Sequence, residues 1–185
     1  MRATAMVYFV SSNERKLEDM VHAWQDGPTP LRLLLLDVPE VLSSDLDTVV
    51  REKAIAAYRV ALVPLFVEHG GLFIEHLNGF PGPLVKPFWE RLQDRICSLI
   101  PPGLSRAARV VQKVCYCDGR TLRVYTGTVP GEIACERRGE CGTDWEPMFV
   151  PTGHTRTLGQ MPREERLRCS ASAEALRAFR CDIGL

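Results

Sequence analysis

Long hydrophobic runs, net charge and lysine are all scarce or missing in this sequence of 185 residues. No apolar run approaches the roughly 20 residues that a membrane-spanning helix needs. The formal net charge is zero, which excludes a broad basic surface for duplex nucleic acid. We therefore expect a protein that binds neither membranes nor nucleic acid.

Lysine is rare even though basic residues are common. Of the 23 basic residues, only Lys16, Lys53, Lys86 and Lys113 are lysines. A compact ammonium contacts a phosphate differently from the planar guanidinium of arginine. The positions of these four lysines are therefore worth following along the chain.

The N-terminus shows no signal-peptide pattern, because its apolar residues 5–10 are too few and predict a first strand instead. We expect a cytoplasmic protein, and the odd count of seven cysteines favours reduced thiols. Cys115 and Cys117 would share one face of a strand and could join Cys135 and Cys141 in a zinc site. The spacing matches no standard zinc motif, so small buried apolar side chains are the favoured interpretation.

The length predicts one domain over residues 1–185, and the hydrophobic fraction of 45% is ordinary for a globular core. Strands and helices alternate in the first half and a hairpin follows. This order predicts an α/β fold with a mixed central sheet flanked by helices. The predicted strands are 5–10, 31–36, 63–67, 107–117, 121–128 and 131–138; the predicted helices are 14–24, 48–62, 85–100 and 163–179.

A polar turn with Ser11 and Asn13 separates the first strand from the first helix, and Lys16 lies one helical turn further on. Free backbone N–H groups and the positive end of the helix dipole make such a helix start a potential phosphate cradle. Taken alone, the pattern favours an ordinary N-cap, because Ser and Asn cap many helices.

An apolar run ends on Glu68, His69, Gly70 and Gly71. We interpret this as a buried strand that delivers polar groups to a cleft, with glycines that let backbone or ligand come close. Glu68 could hold a hard cation such as magnesium. His69 could be a base, a partner of a ligand or a buried histidine with satisfied hydrogen bonds.

Further polar positions follow predicted elements. Glu40 comes shortly after the second strand and Lys53 lies on a long helix, where a solvent-exposed side chain is the favoured interpretation of each. A rigid Gly-Pro turn at 79–83 precedes Lys86, and the segment 145–149 carries two aromatic residues.

Taken in order, these motifs resemble the inosine triphosphate pyrophosphatase family, which hydrolyses noncanonical purine triphosphates to monophosphate and pyrophosphate. The resemblance extends from about residue 7 to residue 179. It implies an elongated α/β fold with a central cleft, a Mg²⁺ cofactor and usually a homodimer.

The resemblance also implies roles for individual residues. The residues that would hold the triphosphate are Ser11, Asn13, Lys16, Lys53 and Lys86. Those that would serve the metal are Glu40 and Glu68, with Glu68 and His69 at the catalytic position. Those near the base would be Trp145, Glu146, Phe149 and Arg166.

The sequence departs from the family pattern at the catalytic position, where His69 replaces an aspartate. An imidazole removes a negative charge and is a poor ligand for magnesium, although a neutral histidine could serve as a general base.

The base pocket departs as well. Glu146 replaces an aspartate and Thr143 replaces a phenylalanine. Ser170-Ala171-Ser172 stands where the family has Ser-His-Arg, whose His-Arg pair reads the 6-oxo edge of the purine. Preference for inosine or xanthosine then requires that Arg163 or Arg168 takes over.

We interpret the chain as a catalytically impaired binder of a (deoxy)nucleoside triphosphate such as deoxyinosine triphosphate. It would act as a sensor or regulatory subunit, by analogy in a bacterial antiviral defence complex with a sirtuin-like effector. The alternative is an active magnesium-dependent pyrophosphatase with His69 as the base. A third interpretation is a scaffold whose cleft binds nothing.

Overall fold

The structure, a computed structural model, describes residues 6–24, 30–142 and 144–182. A seven-stranded mixed sheet forms its centre, in the order β2-β1-β3-β5-β6-β7, with β4 paired to β3. The strands are β1 (Val7–Ser11), β2 (Leu31–Leu35), β3 (Leu65–Ile74), β4 (Pro81–Gly82), β5 (Ala107–Cys117), β6 (Leu122–Ile133) and β7 (Phe149–Pro151). Strand β1 is parallel to β2 and β3, and the remaining pairs are antiparallel. The predicted α/β fold with a mixed central sheet is confirmed.

Helices cover both faces of this sheet. They are α1 (Glu14–Trp24), α2 (Leu46–Ala61), α3 (Val85–Leu92), α4 (Arg163–Arg168) and α5 (Ala171–Asp182). Short 3₁₀ segments lie at Glu75–Leu77, Gln93–Leu99, Glu146–Met148 and Leu158–Gln160. Among the described helices, none has both the length and the apolar character needed to cross a membrane.

An aromatic cluster joins α1 and α5 to one face of the sheet. Trp24 on α1, Phe66 on β3 and Phe179 on α5 are all buried, and the ring centroids of Phe66 and Phe179 are 4.9 Å apart. The opposite face packs against the small side chains of α2, where Ala54 and Ala57 are completely buried. A third core cluster forms around the other end of β3 and the 146–150 segment.

Strand β3 does not end where the sequence indicates. It continues through Glu68 and His69 to Ile74, so the prediction that these two residues stand at a strand end is wrong. The cause is long-range pairing, because residues 68–74 form an antiparallel ladder with residues 108–114 of β5.

The two glycines of β3 do not form a turn. They leave space in which neighbouring groups approach the strand closely. A Cβ atom on Gly70 would overlap the side-chain oxygen of Gln112, and one on Gly71 would lie 2.8 Å from the carbonyl carbon of Gly82. Part of the expectation therefore holds, since backbone and side chains of the protein itself come close there.

Three other element boundaries differ from the predicted ones. The last helix is interrupted, because the Ser170 hydroxyl accepts a hydrogen bond from the N–H of Ala173 and starts a new helix. Strand β6 extends through Ile133, so the predicted strand 131–138 is not separate. Helix α3 ends at Leu92, where Gln93 takes a positive φ of 46°.

The cysteines do not form the conceivable zinc site. Cys115 and Cys117 are buried in one apolar cluster, whereas Cys135 and Cys141 are exposed. No group of three or more His, Cys, Asp or Glu side chains in the described part of the chain could hold a metal ion. The role of Cys115 and Cys117 as small buried apolar side chains agrees with this placement.

Thiol labelling tests this placement of the cysteines. Burial raises the pKa of the Cys115 thiol to about 12, so it stays protonated and unreactive at pH 8. We expect iodoacetamide to label Cys135, Cys141 and Cys181 in the folded protein and Cys115 only after denaturation, as read by peptide mass spectrometry. Rapid labelling of native Cys115 would contradict the packing.

The aromatic cluster predicts a large effect on stability. Phe179→Ala removes a ring that is 0% exposed, and we expect a loss of about 3–5 kcal/mol in the free energy of unfolding. Leu42→Ala is the control, because Leu42 is 85% exposed and should change stability by less than about 0.5 kcal/mol. Urea denaturation measures both, and equal effects would show that the cluster is not part of the core.

Candidate functional site

A cleft of about 350 Å³ brings together the residues to which the family resemblance assigns roles in binding or catalysis. Its walls come from the β1–α1 turn, α2, β3, the start of α3, the 145–149 segment and the α4–α5 region. The predicted residues in it are Ser11, Asn13, Lys16, Glu40, Lys53, Glu68, His69, Lys86, Trp145, Glu146, Phe149 and Arg166. A larger hollow of about 720 Å³ lies between α1 and α5 and contains none of them.

The polar turn before α1 caps the helix and also lines the cleft. The Asn13 side-chain oxygen accepts a hydrogen bond from the N–H of Lys16 at 3.3 Å, and the Ser11 hydroxyl accepts one from the N–H of Asn13 at 3.1 Å. The N-cap interpretation is therefore confirmed. Capping uses only the oxygens, so the hydroxyl proton of Ser11 and the amide N–H groups of Asn13 stay suited to donate to an anion.

Glu68 is held from two sides. Lys16 Nζ lies 3.1 Å from one carboxylate oxygen, and the Ser172 hydroxyl donates to the other at 2.8 Å. Burial opposes ionisation of Glu68, but the charge of Lys16 and the hydrogen bonds outweigh it and lower its pKa. Burial likewise opposes the charge on Lys16, and the attraction of Glu68 outweighs it and raises the pKa of Lys16.

A second lysine–carboxylate pair lines the same cleft. Lys53 Nζ lies 2.6 Å from Glu40 Oε1 and 3.4 Å from the backbone carbonyl of Glu68. Lys53 is only 8% exposed, so the expectation of a solvent-exposed lysine is wrong. Burial and the charge of Lys16 lower the pKa of Lys53. Burial alone would raise the pKa of Glu40, but the charge and hydrogen bond of Lys53 outweigh it, so the pKa of Glu40 is lowered.

His69 lies between these two pairs. Its Nε2 atom is 3.3 Å from the carbonyl oxygen of Pro83, and its Nδ1 atom is 3.7 Å from Glu40 Oε2. Burial and the nearby charges of Lys16 and Lys53 lower the pKa of His69 to about 4. The imidazole is therefore neutral at pH 7.

The far end of the cleft is built around a buried arginine. Arg166 bridges Asp19 at 3.1 Å and Glu146 at 3.3 Å, which joins α4 to α1 and to the 146–148 segment. Trp145 and Phe149 meet edge to face, with ring centroids 6.0 Å apart. This end of the cleft is therefore lined by both aromatic and charged side chains.

The two arginines proposed as substitutes for the missing His-Arg pair do not line this cleft. Arg163 forms ion pairs with Glu18 and Asp19, and Arg168 lines the separate hollow between α1 and α5. Their placement gives no support for either arginine as a substitute in reading the base. Thr143 lies outside the described residues.

Lys86 has a different position from Lys16 and Lys53. It is exposed, as the second residue of α3, and lines the cleft near Pro83. A lysine at a helix N-terminus is on the side of the dipole that favours anions as ligands.

Sequence reasoning missed three polar groups of the site. Asp19 lies one turn after Lys16 on the same face of α1, so helical spacing was a usable signal. Gln112 faces Gly70 across the sheet, and Ser172 reaches Glu68 from α5. Those two contacts depend on tertiary pairing, for which a single sequence carries no local signal.

The donor set of the cleft does not by itself suit magnesium. Mg²⁺ prefers six oxygen ligands, whereas Glu40 and Glu68 are each paired to a lysine and the third candidate is an imidazole. The predicted role of Glu68 as a metal ligand has the least support from the structure, because both of its carboxylate oxygens already have partners. A hard cation would need the oxygens of a bound ligand.

Comparison with known proteins identifies the family of this chain. Residues 7–181 match the model of the Ham1 family. The dITP/XTP pyrophosphatase of Thermococcus kodakarensis is 33% identical over 172 residues, which is 92% of this chain and 93% of that protein. Inosine triphosphate pyrophosphatase 2 of Trypanosoma cruzi is 32% identical over 182 residues, covering 97% of this chain and 92% of the relative.

Solved structures share the fold. The HAM1 protein of Coxiella burnetii superposes with a TM-score of 0.83 at 22% identity, covering 97% of this chain and 98% of the other. The Ham1 protein of Staphylococcus aureus gives a TM-score of 0.78 at 21% identity, again over 97% and 98% of the two chains. The resemblance seen in the motifs is therefore confirmed, and this chain belongs to the Ham1 family.

Proposed function

We propose that the cleft binds a (deoxy)nucleoside triphosphate of a noncanonical purine, such as deoxyinosine triphosphate. The observation that carries the proposal is the convergence of three of the four lysines on one cleft beside the N-terminus of α1. The names of the relatives, dITP/XTP and inosine triphosphate pyrophosphatases, support this ligand class.

The phosphate end and the base end of the cleft are chemically distinct. Lys16, Lys53 and Lys86 would contact the polyphosphate, with donors from Ser11 and Asn13. The aromatic pair Trp145 and Phe149 and the carboxylate of Glu146 would contact the base. A divalent cation would accompany the triphosphate and neutralise part of its charge.

We further propose that hydrolysis is impaired. His69 stands at the position where the resemblance implies a catalytic aspartate, and loss of general-base help alone costs about 10²–10⁴-fold in rate. Both nearby carboxylates form ion pairs with lysines, which compensate their negative charge. A ligand that is not turned over persists, and its binding can bias a partner, as a sensor or regulatory subunit does.

The protein partner rests on analogy. A homodimer, or a complex with a sirtuin-like effector in bacterial defence, is proposed from the family resemblance alone, because no contact among the described residues bears on it.

The second candidate is an active pyrophosphatase in which His69 is the general base. One observation favours it. The imidazole is neutral, and its Nε2 donates to Pro83, so its Nδ1 lone pair can accept a proton within the cleft.

Calorimetry with a panel of triphosphates tests binding, and a pyrophosphate-release assay with Mg²⁺ tests turnover. We expect micromolar or tighter binding of at least one deaminated purine triphosphate and slow release of pyrophosphate. Rapid release would favour the active enzyme. Failure of every triphosphate to bind at millimolar concentration would leave only the scaffold interpretation.

His69→Asp should increase pyrophosphate release with Mg²⁺ by about 10²-fold, because aspartate restores a carboxylate at this position. His69→Asn is the matched control, since it has a similar size without the charge and should give no gain. A fast wild-type enzyme that His69→Asp slows would refute the impaired state.

Lys86→Met should weaken triphosphate binding about 5- to 10-fold, which is less than a buried charged hydrogen bond contributes, because the side chain is exposed. The control is Lys113→Met, whose lysine pairs with Asp47 and does not line the cleft. Calorimetric dissociation constants compare the two. Equal loss in both variants would mean that general charge, and not the cleft, attracts the ligand.

A further inference from the structure

The larger hollow lies outside the proposed nucleotide cleft, between α1, α4 and α5. Its volume of about 720 Å³ falls within the roughly 300–1,000 Å³ of small-molecule sites in proteins. Its apolar lining residues are Ala23, Leu167, Ala173 and Leu176, and its charged ones are Arg168, Arg177, Arg180 and Glu164. The hollow therefore combines an apolar lining with an excess of positive charge.

The three arginines of the hollow have no counter-charge from the protein. None of them forms an ion pair with a carboxylate of the described residues. Arg168 Nε donates to the backbone carbonyl of Glu164 at 3.2 Å, and Arg180 lies over the ring of Trp24. In a chain of zero net charge, three such guanidinium groups around one hollow favour an anion as its ligand.

Arg180 is oriented by the protein itself. Its guanidinium carbon lies 5.2 Å from the ring centroid of Trp24, a buried residue, in a cation–π contact. The edges of a stacked guanidinium can still donate hydrogen bonds, and the planar fork of its N–H groups matches the oxygens of a phosphate. Arg168 and Arg177 are exposed, so their donors are accessible to the same anion.

We propose that this hollow is a second ligand site, which binds a phosphate monoester with a small apolar body. The three arginines and Glu164 leave an excess of two positive charges, which a phosphate dianion balances. Its three free oxygens can accept hydrogen bonds from more than one guanidinium, whereas a carboxylate offers two oxygens and a single charge. The apolar body would cover Leu167 and Leu176.

The hollow and the cleft share a wall. The residues that line both are Ala23, Leu167, Ala173 and Leu176. Three consecutive residues of α4 face different spaces, since Arg166 lines the cleft, Leu167 lines both and Arg168 lines the hollow. A phosphate ester in the hollow and a nucleotide in the cleft would contact the same residues, so each should change the affinity of the other. This coupling rests on the proposed function.

Cys181 can report on the hollow, because it is exposed and lines it. Cys135 is also exposed but lines neither cavity, which makes it an internal control in the same protein. The experiment measures the rate at which iodoacetamide labels each cysteine, by peptide mass spectrometry, during a titration with phenyl phosphate. This probe carries a phosphate on an aromatic ring, and its binding in the cleft alone would leave Cys181 unprotected.

We expect phenyl phosphate at millimolar concentration to slow the labelling of Cys181 about fivefold or more, because a bound ligand shields the thiol, and to leave Cys135 unchanged. Arg177→Gln should raise the concentration for half protection about 3- to 10-fold, since an exposed charged hydrogen bond is lost. Arg59→Gln is the matched control, because Arg59 is exposed and lines neither cavity. Inorganic phosphate should protect less, because it has no apolar body.

Absence of protection at Cys181, or equal weakening in Arg177→Gln and Arg59→Gln, would overturn the inference. Equal protection by inorganic phosphate would refute the role of the apolar lining. Protection by hexaglutamate but not by phenyl phosphate would also overturn the proposal, and would indicate an acidic protein segment as the occupant.

Calorimetry tests the coupling separately. The dissociation constant of deoxyinosine triphosphate is measured with and without phenyl phosphate, in the wild type and in Arg177→Gln. Direct competition inside the cleft affects both proteins alike, so an effect that is larger in the wild type by about twofold or more supports coupling, and equal effects refute it. If no triphosphate binds in the absence of phenyl phosphate, the proposed function fails, and protection of Cys181 still decides the second site.

Discussion

Two lysine–carboxylate pairs organise the cleft, and each joins one buried side chain to one that is partly exposed. Lys16 with Glu68 ties the start of α1 to β3, and Lys53 with Glu40 ties α2 to the segment after β2. Removing the partly exposed partner leaves the buried member, Glu68 or Lys53, without its counter-charge and destabilises the folded cleft. Because each pair joins two elements, the positions of the surrounding walls depend on charges that a ligand must also address.

A triphosphate entering this cleft therefore meets lysines that already have partners. Its phosphates must share or displace Glu40 and Glu68, which reduces the affinity that the lysine charges alone would give. In exchange, each released carboxylate oxygen becomes a potential ligand for a cation that arrives with the nucleotide. The environment of His69 follows from the same arrangement, since the two lysines that flank it favour its neutral form.

The site residues were predictable to a greater extent than the elements that hold them. Motif order identified the lysines and glutamates because their chemistry and spacing survive in the sequence. The extension of β3 was not predictable, because Gly70 and Gly71 look like a turn until β5 pairs with them. The partner of Glu68 on α5 was equally hidden, since Ser172 is 104 positions away along the chain.

The position of Arg163 depends on distant segments in the same way. In sequence it is a candidate to contact the base, but Glu18 and Asp19 on α1, far away along the chain, form ion pairs with its side chain. Elements with strong local signals, such as α1, were predicted within their observed bounds. Contacts between distant segments decided the rest of the architecture.

Helix α1 carries Lys16 at one end of the cleft and, one turn later, Asp19, which anchors Arg166 at the other end. In the proposed binding mode, a shift of this 11-residue helix caused by the phosphates of a ligand would also displace the groups around its base. Contacts with the two halves of a nucleotide would then be coupled through a single helix. The outer side of the same helix borders the hollow against α5, where such a movement would reach the protein surface.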